Sequence, residues 1–96
     1  MSEAASFIEA EGFVPIFDAV DAMVKATEVT VRGTMRLGGG LVAVALTGDL
    51  ATVEEATEIG TETARAVSGG QVNSIIFASP SLPVSAIANN PDLIDG

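Results

Sequence analysis

The chain contains no histidine and no cysteine, so the side chains that most often carry acid–base, nucleophilic and metal chemistry are missing. No serine or threonine has an imidazole to activate it, and disulfides and thiolate metal sites are excluded. Carboxylates are the remaining acid–base groups, and Asp18 and Asp21 are close enough in sequence to form a pair. Solvation of both carboxylates near a helix N-terminus explains them better. These residue types predict a protein that is not an enzyme.

A row of glutamates could in principle hold a hard cation such as Mg²⁺ or Ca²⁺. Glu54, Glu58 and Glu62 follow one another at four-residue spacing, with Glu55 nearby. Like charges at this spacing repel, and nothing else in the segment completes a coordination shell. A solvated helix face, with Arg65 close to Glu62, is the favoured interpretation. The sequence therefore predicts neither a metal nor a cofactor.

Three consecutive glycines, Gly38, Gly39 and Gly40, separate two apolar segments at residues 29–37 and 41–46. Successive glycine amides can form an anion-binding nest. A phosphate loop, however, needs a following Lys and Ser or Thr at the start of a helix, whereas Leu41 begins a strand pattern. A hairpin turn is the favoured interpretation from spacing alone.

The composition predicts one small domain that associates with itself. The 96 residues are 48% hydrophobic, more than so small a domain can easily bury. The formal charge of −9 disfavours nucleic acid and anionic membrane surfaces as partners. No apolar run reaches the ~20 residues of a membrane span, and the N-terminus is acidic where a signal peptide would be basic. We expect a soluble, cytoplasmic protein.

The order of secondary structure elements predicts an α+β fold. We expect strands at 6–11, 29–37, 41–46 and 72–77, with a helix at 14–26 and a second helix from Asp49 to Val67. In the first helix Phe17, Val20 and Val24 follow the helical period. This order is that of the ferredoxin-like split βαββαβ fold, an antiparallel sheet with two helices.

The boundaries of the second helix rest on local signals. Asp49 is the expected N-cap, and Gly69 and Gly70 are expected to end the helix. Its predicted inner stripe consists of Leu50, Val53, Thr57, Gly60, Ala64 and Val67.

Residues 4–80 form the predicted domain, and residues 81–96 a C-terminal extension with at most one short helix.

Several short motifs carry a resemblance to a known family. They are IE at 8–9, GFV at 12–14, DAMVKA at 21–26, Gly33, RLGGGLV at 36–42 and GD at 48–49. In this order and spacing the chain resembles the shell-protein domain of bacterial microcompartments, without gaps from about residue 4 to residue 80. The order of elements is that of the ordinary single-domain form.

The resemblance implies a flat cyclic homohexamer that tiles, with other shell proteins, into a shell around enclosed enzymes. It implies that Gly38, Gly39, Gly40 and Arg36 line a pore on the six-fold axis. Gly39 stands where many members carry serine, and Arg36 matches a lysine near that loop. The pore is expected to select small anionic or polar metabolites by width and by local positive charge.

The resemblance also implies contacts at the hexamer edge. Lys25 matches a lysine that packs against its counterpart across the boundary between hexamers. Glu28 stands where the family usually has asparagine, and Ser79 where it often has arginine. We therefore assign Lys25, Glu28 and Ser79 to this edge, and expect Glu28 to pair with Lys25 of a neighbour.

A function of another class also fits the order of strands and helices. Small-molecule-binding regulatory domains, such as amino-acid sensors, share the ferredoxin-like arrangement. They usually bind at a dimer interface and adjoin an enzyme, and no ligand-facing residues of that kind can be recognised in this sequence.

Overall fold

The computed structural model describes residues 3–78 and has the predicted order of elements. The strands are β1 (Ala4–Glu11), β2 (Thr30–Gly38), β3 (Leu41–Gly48) and β4 (Asn73–Phe77), and the helices are α1 (Phe13–Ala26) and α2 (Leu50–Val67). The sheet order is β2-β3-β1-β4, and all neighbouring strands are antiparallel. The ferredoxin-like α+β prediction is confirmed. The predicted extension at 81–96 lies outside the described residues.

Both helices contact β1 and β3 and pack against each other. The side chains between sheet and helices are almost completely buried. The largest of them are Ile8, Ile16, Met23, Val44, Leu46 and Val53. Alternate residues of β1 and β3 therefore supply the sheet side of this core, as period-2 strands require.

The close approach of the helices depends on small residues. Ala19 of α1 and Ala56 and Ala64 of α2 are buried, and Gly60 is in the same row. A Cβ atom on Gly60 would lie 2.6 Å from the Sδ atom of Met23. A larger residue at position 60 would therefore have to displace the buried side chains of Met23 on α1 and Ile8 on β1.

The buried side of α1 differs from the predicted one. Phe17 and Val24 are both 49% exposed, whereas Ile16, Ala19 and Met23 are buried. Of the three apolar positions named from the period, Val20 is partly buried and packs against the core, whereas the most buried residues lie one position earlier than Phe17 and Val24. The two phases could not be separated from sequence because apolar residues lie on both sides of the helix.

The inner stripe of α2 is confirmed in its centre and wrong at its ends. Val53, Thr57, Gly60 and Ala64 are buried, but Leu50 and Val67 are more than 40% exposed. These two residues lie in the first and last turns of α2. Asp49 is the N-cap as predicted, since its carboxylate accepts a 3.0 Å hydrogen bond from the Thr52 amide.

Candidate functional site

The glycine hairpin has a backbone that other residues rarely adopt. Gly38, Gly39 and Gly40 have φ angles of +89°, +62° and +83°. Positive φ at both loop residues, Gly39 and Gly40, is the signature of a tight type I′ connection between antiparallel strands. A Cβ built at any of the three positions meets no atom within 4 Å. Glycine is needed for conformation here, and the space around the tip is open.

One hydrogen bond ties the tip of the hairpin to the start of α1. The amide of Gly12 donates to the carbonyl of Gly40 over 2.8 Å. Gly12 is the N-cap of α1, with φ +83°, and it has no side chain that could cap the helix. The hairpin and the first turn of α1 are therefore adjacent.

Arg36 lies beside the hairpin, and its guanidinium covers an aromatic ring. Its Cζ atom is 5.3 Å from the ring centroid of Phe13, the first residue of α1. The Phe13 ring is 5.3 Å from that of Phe17, with 39° between the ring planes. Together with the glycine backbone, Phe13 and Arg36 line a surface hollow of about 290 Å³. The hollow combines backbone groups, one cation and one aromatic ring.

Phe13 is a residue of this site that sequence reasoning missed. It is half-buried and packs against the core. The sequence analysis used Phe13 only as part of the GFV motif at 12–14. A contact between the start of a helix and a strand far along the chain has no signature in local spacing.

The predicted edge residues lie at the other end of α1. Lys25 is in the last turn, about 18 Å along the helix axis from Phe13. Its ammonium group forms an exposed 2.9 Å ion pair with Asp21, one turn earlier on the same helix. Glu28 is exposed in the loop after α1. Ser79 lies outside the described residues.

The sheet face opposite the helices is open and apolar. It contains a hollow of about 380 Å³ whose apolar lining includes Phe7, Met35, Leu37 and Ile75. The polar groups in this hollow are few, and two of them satisfy each other: Asn73 Nδ2 donates to Glu9 Oε1 over 3.1 Å. Sequence reasoning did not identify this surface as a site.

A second apolar surface runs along the outside of α1. Val14 is 68% exposed, and Phe17 and Val24 are each 49% exposed. Ile75 and Leu37, on the open sheet face, are 54% and 44% exposed. Large side chains exposed on two surfaces of so small a chain point to contacts with other proteins.

The carboxylates of the described residues form no cluster that could hold a metal ion. Glu54, Glu58 and Glu62 are exposed on α2, and within residues 3–78 no three metal-ligating side chains come close enough to hold an ion. Asp21 is paired with Lys25, and Asp18 is exposed. No helix in the described part of the chain is long and apolar enough to cross a membrane.

Residues 4–80 match the model of the BMC domain. The chain belongs to the BMC domain family. The match contains the whole sheet, both helices and the glycine hairpin.

Curated relatives of this BMC domain are shell proteins by name. It is 42% identical over 81 residues to the carboxysome shell protein CcmK2 of Synechocystis, covering 83% of this chain and 79% of the relative. It is 36% identical over 94 residues to the major carboxysome shell protein CsoS1 of Prochlorococcus marinus, covering 98% of this chain and 91% of the relative.

A solved structure supports the fold of the BMC domain. The crystal structure of a microcompartments protein from Desulfitobacterium hafniense superimposes with a TM-score of 0.76 at 21% identity. The superposition covers 93% of this chain and 48% of the other, so this chain spans about half of that protein's length.

Proposed function

We propose that this chain is a structural shell subunit of a bacterial microcompartment in the cytoplasm. In this proposal it closes into a cyclic homohexamer, tiles with other shell proteins and encloses enzymes without being an enzyme itself. The observation that carries the proposal is the 42% identity to a carboxysome shell protein over 83% of the chain.

The open apolar surfaces support association of several copies. The sheet face around Phe7 and Ile75 and the outer side of α1 both expose large side chains. Contact with neighbouring subunits would remove this apolar surface from water, which is the main driving force for association. The 380 Å³ hollow would then be filled by a neighbour.

The hairpin is the part of the chain best suited to a pore rim. Its three glycines place no side chains at the tip, so six copies could approach an axis closely. Backbone amides and Arg36 would provide positive potential at that point of a chain whose formal charge is −9. Under this proposal the pore selects small anionic or polar metabolites by its width and by its electrostatic field. The residues that line it are Gly38, Gly39, Gly40 and Arg36.

The end of α1 that carries Lys25 is the proposed hexamer edge. Lys25 and Glu28 are both exposed there, and the ammonium group of Lys25 is bonded to Asp21 alone among residues 3–78. A neighbouring hexamer would add contacts to Lys25 and Glu28, and Ser79 is assigned to the same edge from sequence alone. The other end of α1, which begins at Phe13, lies beside the hairpin that is proposed to line the pore.

Native mass spectrometry tests the ring. Six chains of 9.7 kDa give an expected species of about 58 kDa at micromolar concentration. Ile75→Asp places a charge on the open sheet face and should dissociate this species, whereas Ala66→Asp, on the exposed side of α2, should not. A wild-type protein that stays monomeric would end the proposal.

Two further variants test the pore and the edge separately. Gly39→Asn adds a side chain at the tip and should slow entry of metabolites into intact compartments, while the rings stay assembled. Lys25→Ala should reduce extended sheets seen by electron microscopy and leave rings of the same mass. Unchanged flux in the first variant removes the pore role of this hairpin, and unchanged sheets in the second remove the edge role of Lys25.

The hollow on the open sheet face supports a second candidate, a small-molecule-binding regulatory domain. Its volume of about 380 Å³ lies within the range of ligand pockets, and its lining is mostly apolar. Thermal-shift measurements with amino acids and nucleotides distinguish the two functions. A sensor gains stability when its ligand binds, whereas a shell subunit does not.

A further inference from the structure

We propose that Phe13 is a positioning residue for Arg36 and thereby sets the charge selectivity of the hairpin. This inference rests on the proposed pore function and adds a residue that the sequence did not assign to it. The predicted ligands are oxyanions, such as carboxylates and phosphates, that pass the hairpin.

The Phe13 ring has packing contacts of its own, in addition to its contact with Arg36. Phe13 belongs to the first turn of α1, packs against the core and contacts the ring of Phe17. The guanidinium of Arg36 lies over this supported ring, with 5.3 Å between Cζ and the centroid. This distance is inside the ~6 Å limit for attraction between a cation and an aromatic face.

Within residues 3–78 no carboxylate forms an ion pair with Arg36. Its side chain forms no ion pair and no hydrogen bond to any of these residues. The carboxylate of Glu11, the last residue of β1, lies against Gly70 in the loop after α2. The Phe13 ring therefore holds the guanidinium without neutralising it.

A guanidinium over an aromatic ring differs from a lysine at the same place. The Arg36 side chain is exposed, so its N–H groups are available to donate two parallel hydrogen bonds to an oxyanion. An ammonium group is a point charge without this directionality. Loss of the ring should therefore reduce selectivity although the charge of Arg36 remains.

The contact itself is tested on the assembled protein by NMR with selectively labelled arginine. In wild type the Nε–H proton of Arg36 should be shifted by the ring current of Phe13, and in Phe13→Leu the shift should disappear. Phe17→Leu is the matched control, because it removes the second ring and leaves the contact, so the shift should remain. An unchanged Arg36 resonance in Phe13→Leu overturns the proposal. If Phe13→Leu does not assemble, Phe13→Met provides the same comparison.

The consequence is tested as the ratio of entry rates for an anionic and a neutral substrate into intact compartments. Phe13→Leu and Arg36→Gln should both lower this ratio, about two- to fivefold for Phe13→Leu, while Phe13→Tyr should keep it. A ratio that falls in Arg36→Gln but not in Phe13→Leu overturns the positioning role. If neither variant changes the ratio while the NMR shift is lost in Phe13→Leu, the contact stands and the charge-selective pore is wrong.

Discussion

The hydroxyl group of Ser6 lies 2.7 Å from that of Thr57 inside the core and links β1 to α2. The Thr57 hydroxyl donates its single proton to the carbonyl of Val53 over 2.6 Å. Ser6 must therefore be the donor in the bond between the two hydroxyls. The two side chains are not equivalent, although they form one contact.

This asymmetry predicts unequal effects of removing each hydroxyl. Ser6→Ala leaves the Thr57 proton bonded and should lower the free energy of unfolding by about 1 kcal/mol. Thr57→Val leaves the buried Ser6 donor without its acceptor and should lower it by about 1–3 kcal/mol. Thr63→Val is the control, since the Thr63 hydroxyl donates to the carbonyl of Ile59 within its own helix. Urea unfolding at one fixed protein concentration measures all three, and equal losses for Ser6→Ala and Thr57→Val would contradict the donor assignment.

The hairpin tip should tolerate asparagine better than a β-branched residue. Gly39 has φ +62° and open space around its Cα, so a substitution there is limited by backbone strain. Gly39→Val should lower the free energy of unfolding by about 1–3 kcal/mol, and Gly39→Asn by clearly less, because asparagine enters the left-handed region more readily. Thermal unfolding of both variants provides the measurement. Equal stability of wild type and Gly39→Val would show that the tip adopts another conformation.

A methyl group at position 60 should destabilise the chain despite its favourable effect on helix propensity. The added Cβ would lie 2.6 Å from Met23 Sδ and 2.8 Å from Ile8 Cδ1, and both neighbours are fully buried. Overpacking costs about 1–3 kcal/mol, which exceeds the ~1 kcal/mol that alanine gains over glycine in a helix. Gly69→Ala, which meets no atom within 4 Å, should be close to neutral. Urea unfolding that finds Gly60→Ala more stable than wild type would refute this ranking.

The cap of α2 should make stability depend on pH in the acid range. Hydrogen bonds from the amide and hydroxyl of Thr52 lower the pKa of Asp49 below its ordinary value. A group whose pKa is lowered by folding stabilises the folded state above its unfolded pKa, and this contribution is lost as the pH falls through the folded pKa. Asp49→Asn keeps a capping oxygen without the titration. The difference in urea midpoint between wild type and Asp49→Asn should shrink from pH 7 to below about pH 4, and a difference that is constant over this range would contradict the assignment.

The order of elements could be predicted from sequence because each boundary has a local cause. Gly12 and Asp49 precede the helices, and the glycine triplet separates the two apolar segments that became β2 and β3. The side of α1 that is buried has no such local cause. Phe17 follows the helical period of the apolar residues, yet it is half-exposed, whereas Ile16, Ala19 and Met23 of the same helix are buried.

The sequence brought together only part of the candidate site, and the pore role of its residues stays a prediction. Gly38 to Gly40 and Arg36 are neighbours in sequence, so their proximity required no knowledge of the fold. The Phe13 ring under Arg36 and the hollow on the open sheet face arise from packing between distant segments, which no local pattern records. The structure leaves the assignment of Lys25, Glu28 and Ser79 to an edge as a prediction.

The hydrogen bond from Gly12 to Gly40 gives the hairpin a spectroscopic reporter of its own. When the tip moves away from α1, this amide proton loses its acceptor and becomes available to deuterium. The hydrogen–deuterium exchange rate of the Gly12 amide therefore measures how often the hairpin tip opens away from α1. No probe has to be attached to the tip, which has no side chains. In an assembled particle the same proton would show whether the hairpin is rigid or opens transiently.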